Sequence, residues 1–120
     1  MATPRDPLDW RSECPISSAL DVLGDRWSLL IIRDLLIHGP RTYSEFHGSG
    51  ERISTNILAA RLDMLTCLKL IERSDPTGGP RNNAFQLTEA GAALRPVLEG
   101  LGCWASTHLA EFHTDIVRMS

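Results

Sequence analysis

The apolar positions of the chain recur with two different periods, separated by short polar punctuation. Ile16, Leu20, Val22 and Leu23 follow Cys14-Pro15 at near-helical spacing and stop at Gly24. Proline is tolerated at a first helical position, so a first helix is expected over about residues 15–23. Trp27, Leu29, Leu30, Ile31, Ile32, Leu35 and Leu36 come next, behind an Asp25 that can cap them. A helix apolar on most sides belongs in the core, and His38-Gly39-Pro40 should end it. Thr42-Tyr43-Ser44-Glu45-Phe46 has the form of a capping box opening a short third helix that ends near Gly48. Ser54 can cap a fourth, in which Ile57, Leu58, Leu62, Leu65 and Leu68 share one face. Thr55, Asn56, Ala59, Ala60, Asp63 and Met64 occupy the other.

The period then falls to two. Leu70-Ile71-Glu72-Arg73 reads as a strand, Gly78-Gly79-Pro80 as a turn, and Ala84-Phe85-Gln86-Leu87-Thr88 as the returning strand. A last helical region is expected over about residues 89–112, broken or kinked near Arg95 by Pro96. Helix, turn, helix and hairpin in this order define a fold that is mainly α with a small β-hairpin wing: a winged helix-turn-helix. Its recognition helix would span about Ser54–Leu68 and its wing about Leu70–Thr88. Residues 1–13 read as a loose N-terminal arm and 14–120 as one domain.

A recognition helix has the dimensions to enter the major groove of DNA, with its first residues at the base edges. Those residues are Ser54, Thr55 and Asn56, and Asn56 can pair with adenine. Ala59 and Ala60 permit close approach. Arg52 and Arg61 flank the helix and suit phosphate contact, as do Arg41 and Thr42 at the start of the preceding helix. Arg81 and Asn82, with Asn83, sit where a wing tip could reach the minor groove or backbone. Each residue alone is more economically a cap or a solvated side chain; the whole arrangement favours DNA.

Charge at first argues the other way, because the net charge is -3 at pH 7. It is unevenly placed: residues 41–81 hold six basic and five acidic side chains, whereas both flanking segments are net acidic. A few placed arginines suffice for phosphate contact. Three cysteines, Cys14, Cys67 and Cys103, show neither metal-ligand spacing nor a disulfide framework, so no metal or cofactor is expected. Four scattered histidines bring no carboxylate pair, phosphate loop or nucleophile motif, so an enzyme is not expected. No apolar run is long enough to cross a membrane and the first residues do not form a signal peptide, so a cytoplasmic protein is expected. Apolar surface on the last helix, from Leu101, Trp104, Leu109 and Phe112, exceeds what one small domain covers easily, and an isologous homodimer would bury it. The rival to DNA binding is a winged-helix protein–protein interaction module.

Cys14-Pro15, Gly24-Asp25-Arg26-Trp27, Ile53-Ser54 and Leu58-x-x-Arg61-Leu62-x-x-Leu65 stand in order along the chain, followed by Ile71-Glu72-Arg73 and Leu87-Thr88-x-x-Gly91-x-x-Leu94-x-Pro96-Val97-Leu98. Together with Trp104, these motifs resemble the HxlR-type winged helix-turn-helix transcriptional regulators. The resemblance implies a homodimer joined by its first and last helices, with Ile16 and Leu20 added to the interface. It also implies a pseudo-palindromic operator whose half-sites lie about 34–36 Å apart or a multiple of that. Several members sense electrophiles or oxidants through a cysteine just before this proline, which makes Cys14 a candidate thiol sensor; the alternative is a cysteine that only packs. A small-molecule effector between core and dimer helices, near Trp10, Trp27 and Trp104, is the related expectation. Asn56 and the polar wing Asn82-Asn83-Ala84 depart from the family pattern, so no operator sequence carries over.

Overall fold

The computed structural model describes residues 9–48, 50–75 and 83–119. The elements run α1 (Pro15–Leu23), α2 (Ser28–His38), α3 (Tyr43–His47), α4 (Thr55–Cys67), β1 (Ile71–Arg73), β2 (Phe85–Leu87), α5 (Glu89–Ala92) and α6 (Arg95–His108). β1 and β2 are antiparallel, with Ile71 opposite Leu87 and Arg73 opposite Phe85. A third edge comes from Arg41, whose N–H donates to the Phe85 carbonyl at 3.0 Å and whose carbonyl accepts from the Phe85 N–H at 2.8 Å. This bridge ties the lead-in of α3 to the wing. The predicted Gly78-Gly79-Pro80 turn, with Arg81 and Asn82, lies outside the described residues.

The core is the set of apolar faces that the sequence periodicity marks. Ile31, Ile32 and Leu35 of α2 meet Phe46 of α3, Leu58, Leu62 and Leu65 of α4, and Ile71 and Phe85 of the sheet. Each fully buried aliphatic or aromatic side chain of this kind contributes about 1.5–3 kcal/mol of transfer free energy. Ile57, expected on the same face as Leu58, is instead exposed. One residue is a turn of about 100° on a helix, and that carries Ile57 out of the narrow stripe made by Leu58, Leu62 and Leu65. Trp27 is half-buried, packed against the edge of the core rather than inside it.

The helix ends follow their residues. The Thr42 hydroxyl accepts from the Glu45 N–H at 3.3 Å, and the Glu45 carboxylate accepts from the Thr42 N–H at 2.9 Å, completing the capping box. Gly39 ends α2 at φ 79°, a conformation that favours glycine. Thr88 caps α5 by accepting from the Gly91 N–H and donates its own hydroxyl proton to the Lys69 carbonyl at 2.7 Å. That pins α5 against the end of α4, so close that a Cβ on Gly91 would overlap the Leu70 carbonyl.

Pro96 sits in the first turn of α6, and the break expected near it falls at Ala93-Leu94, between α5 and α6. The last helix is shorter than the apolar pattern implies. It ends at His108, and Leu109 and Phe112 lie in the turns that follow, where the His113 N–H donates to the Leu109 carbonyl. The chain then folds back along α6: the buried Ser106 hydroxyl accepts from the Met119 N–H at 3.1 Å.

Candidate nucleic-acid interface

Ser54 opens α4 with its hydroxyl accepting from the Ile57 N–H at 3.3 Å. Because it is a cap in extended conformation, it turns the chain out of the α3–α4 loop and leaves the first turn of α4 at the surface. Arg52, Ser54, Thr55, Asn56 and Ala60 are exposed, and Ala59 is half-buried. The N–H groups of the first helical turn have no intrahelical acceptor, so this end carries partial positive charge and free donors. Asn56, Ala60, Asp63 and Cys67 recur along the exposed side at helical spacing. Asp63 places an anion two turns along that stripe, so the positive character of α4 is greatest at its N-terminal end.

The platform behind this end is cross-linked by side chains. Arg33 of α2 grips Glu51, just ahead of α4, with two parallel hydrogen bonds of 2.9 Å, and also donates to the buried Asp34. The paired hydrogen bonds from Arg33 hold the Glu51 carboxyl below the usual range, and the same pairing pushes the Arg33 guanidinium further up. Between Glu51 and the helix, Arg52 adopts φ 61°, a left-handed conformation uncommon for a residue with a side chain. The loop therefore reaches its exit direction through a backbone strain that the clamp and the buried Ile53 hold in place.

Two of the expected contact groups face elsewhere. Arg61 is turned inward, half-buried, with Nη1 3.6 Å from the Asp25 carboxylate. Burial pushes the Asp25 carboxyl up, but donation from the Ser28 hydroxyl and from the Trp27 and Ser28 amides, with the charge of Arg61, outweighs that and leaves it lowered. Asp25 thus caps α2 from the preceding loop and anchors α4 to it, which explains the Gly24-Asp25-Arg26-Trp27 segment as structural. At the start of α3, the Thr42 amide is already taken by Glu45, and a carboxylate in that place repels a phosphate. Arg41 lies half-buried with Nη1 4.0 Å from Asp34. The phosphate site expected at Arg41 and Thr42 is therefore occupied by the protein's own groups.

His47 joins the surface unannounced. Its ring Nε2 lies 3.5 Å from the Thr55 hydroxyl, across the helix-turn-helix corner. The signal for it was positional: the end of the short helix must lie beside the start of the next one. Arg81 and Asn82, at the wing tip, lie outside the described residues.

Away from this surface, α1 and α6 both pack on α2 and leave apolar side chains outside. Ile16 and Leu20 on α1, and Leu101 and Trp104 on α6, are all about half exposed or more, as is Phe112 beyond it, with Leu109 a little less so. Cys14 is exposed at the N-terminal boundary of α1. Arg11, near it in sequence, is drawn away to Asp21 by an ion pair of 2.6 Å. Cys67 is exposed, and Cys103 is half-buried. Trp27 and Trp10 line two different hollows, and the groove beside α6 is lined by aliphatic and charged side chains and by none of the three tryptophans. Among the described residues no helix is long and apolar enough to cross a membrane, and no group of His, Cys, Asp and Glu could hold a metal ion.

A core-locked helix with an exposed, capped N-terminus, beside a two-stranded wing, defines a winged helix-turn-helix transcription regulator. The chain belongs to the HxlR-like helix-turn-helix family, whose model matches residues 22–113. It is 37% identical over 93 residues to the HTH-type transcriptional regulator YodB of Bacillus subtilis, covering 77% of this chain and 82% of that one. The structure of reduced YodB superposes with a TM-score of 0.68 at 35% identity, over 81% of this chain and 95% of the other. Quinone-bound YodB, also from B. subtilis, gives 0.65 at 35% identity, over 78% and 98%.

Proposed function

We propose that this regulator acts as a homodimer that sets the N-terminal end of α4 in the major groove of a pseudo-palindromic double-stranded operator, with the wing on the minor groove or backbone. The observation that carries the reading is the split character of α4: Leu58, Leu62 and Leu65 are wholly buried, while Ser54, Thr55 and Asn56 are exposed at the positive end of the same helix. Ser54, Thr55, Asn56 and Ala59 meet base edges, and Arg52 with Arg81 and Asn82 meets phosphates. Arg61 positions the helix through Asp25. Fluorescence anisotropy against the intergenic DNA beside the protein's own gene tests this. Asn56→Ala should cost about 1–3 kcal/mol of affinity and relax preference at one base pair. Unchanged affinity and unchanged preference would remove Asn56 from the interface, and a chain that binds no DNA would return the fold to the interaction-module reading.

The same dimer responds to a thiol signal at Cys14. Two observations favour it: Cys14 is exposed at the start of a helix whose apolar side chains are also exposed, and the similar regulator YodB has been solved with bound quinone. A thiolate adding to a quinone ring would place a bulky group where α1 meets its partner and alter the spacing of the two recognition helices. Binding that is lost with a quinone and retained in Cys14→Ser supports this; loss in both forms assigns the response elsewhere.

A further inference from the structure

Between α2 and α6 runs a groove of about 600 Å³, within the range of small-molecule sites. Its floor is aliphatic, from Leu29, Leu36, Ile37, Leu98 and Leu101. The returning C-terminal segment forms one wall. Met119 is held by Ser106 through its N–H and lies over Gly102, where any larger side chain would displace it. The charges at the rim are unequal. Arg33 is matched by Glu51 and Asp34, and Asp25 by Arg61. Arg26, which lies over the Trp27 ring, and Arg95, at the start of α6, have no carboxylate partner among the described residues. Glu99 is the one rim carboxylate left to oppose them.

We infer that this groove binds an amphipathic anion, an aliphatic or aromatic body bearing one carboxylate or sulfonate, with the body along Leu36, Leu98 and Leu101 and the anionic end between Arg26 and Arg95. A desolvated apolar body supplies the affinity and the two guanidiniums select the charge. The site is separate from the α4 surface and its occupancy is read without DNA, so its failure and that of the DNA-binding reading are distinguishable.

The test is calorimetric titration of the full chain with decanoate, decanol and decyltrimethylammonium as probes. Saturable decanoate binding near one per chain is expected, at least tenfold tighter than either of the others. Arg95→Glu and Ile37→Glu should each weaken it at least tenfold. Both positions are exposed, and circular dichroism melts should match the parent. Equal binding of decanol and decanoate, indifference to Arg95→Glu, or no decanoate binding at all overturns the proposal. So does a result in which these variants convert a dimer to a monomer without changing decanoate binding, since the groove would then be covered by a second copy.

Discussion

Two residues hold backbone positions that their neighbours dictate, and each yields a prediction. Gly91 packs against the Leu70 carbonyl with no room for a methyl group. Gly91→Ala should lower the urea midpoint, destabilising the chain by about 1–3 kcal/mol as α5 is pushed off the end of α4. Arg52 carries the opposite tension, a left-handed backbone under a side chain proposed to meet phosphate. Arg52→Gly should raise stability by about 1 kcal/mol by relieving that conformation. It should also weaken DNA binding and reduce the slope of log affinity against log salt by about one. Stability and affinity moving in opposite directions is the signature; if both fall, Arg52 serves the loop and not the DNA. At this scale the sequence reveals caps and exposed polar residues, because Ser54, Thr42 and Asn56 act within a few residues of themselves. It does not reveal the partner of Arg61. That carboxylate, Asp25, belongs to another helix boundary, and no local pattern distinguishes an inward arginine from an outward one.

Among the elements, the Arg33–Glu51 clamp and the Asp25 junction decide how firmly α4 is aimed. Both carboxyls are held below their ordinary values, Glu51 by the hydrogen bonds from Arg33 and Asp25 by its own donors against the effect of burial. A lowered folded-state pKa gives stability that is complete above the unfolded value, about 4, and is lost as pH falls through the folded value. Unfolding midpoints should therefore be flat from neutral pH down to about 5 and fall modestly below about 4. Glu51→Gln should cost less than about 1 kcal/mol at neutral pH, since the pair is partly exposed, and should make the acid limb shallower. An unchanged acid limb would show that the clamp does not couple to folding. The elements themselves were legible from period and punctuation: the capping box, the glycine after α2 and the proline near α6 all fall where their chemistry requires. The end of α6 was not. Leu109 and Phe112 continue the helical spacing, but beyond His108 the chain turns back to place Met119 against Gly102 and Ser106, a tertiary contact that overrides the local pattern.

The whole molecule leaves apolar side chains exposed on α1 and α6, and its sequence outside residues 41–81 is net acidic, a distribution consistent with the proposed pairing of two copies on DNA. α1 shows Ile16 and Leu20, and α6 shows Val97, Leu101 and Trp104 at helical spacing, beside Leu94 and Leu98, which pack on the core. A monomer of this size with such a stripe would associate, and a two-fold axis lets the same stripe satisfy itself. Introducing charge there should separate the proposed dimer without touching the core. Leu20→Glu combined with Trp104→Glu is expected to sediment as a monomer, with the circular dichroism spectrum of the parent. Each α4 would keep its own contacts, so affinity for an isolated half-site should be unchanged. Affinity for a two-half-site operator should fall by roughly a hundredfold or more, because the second contact loses the effective concentration that the dimer supplies. If the double variant remains a dimer, the interface lies on another face. If it is a monomer and still binds the full operator as tightly as the parent, the operator is read by one copy, and the pairing of α1 and α6 has no part in recognition.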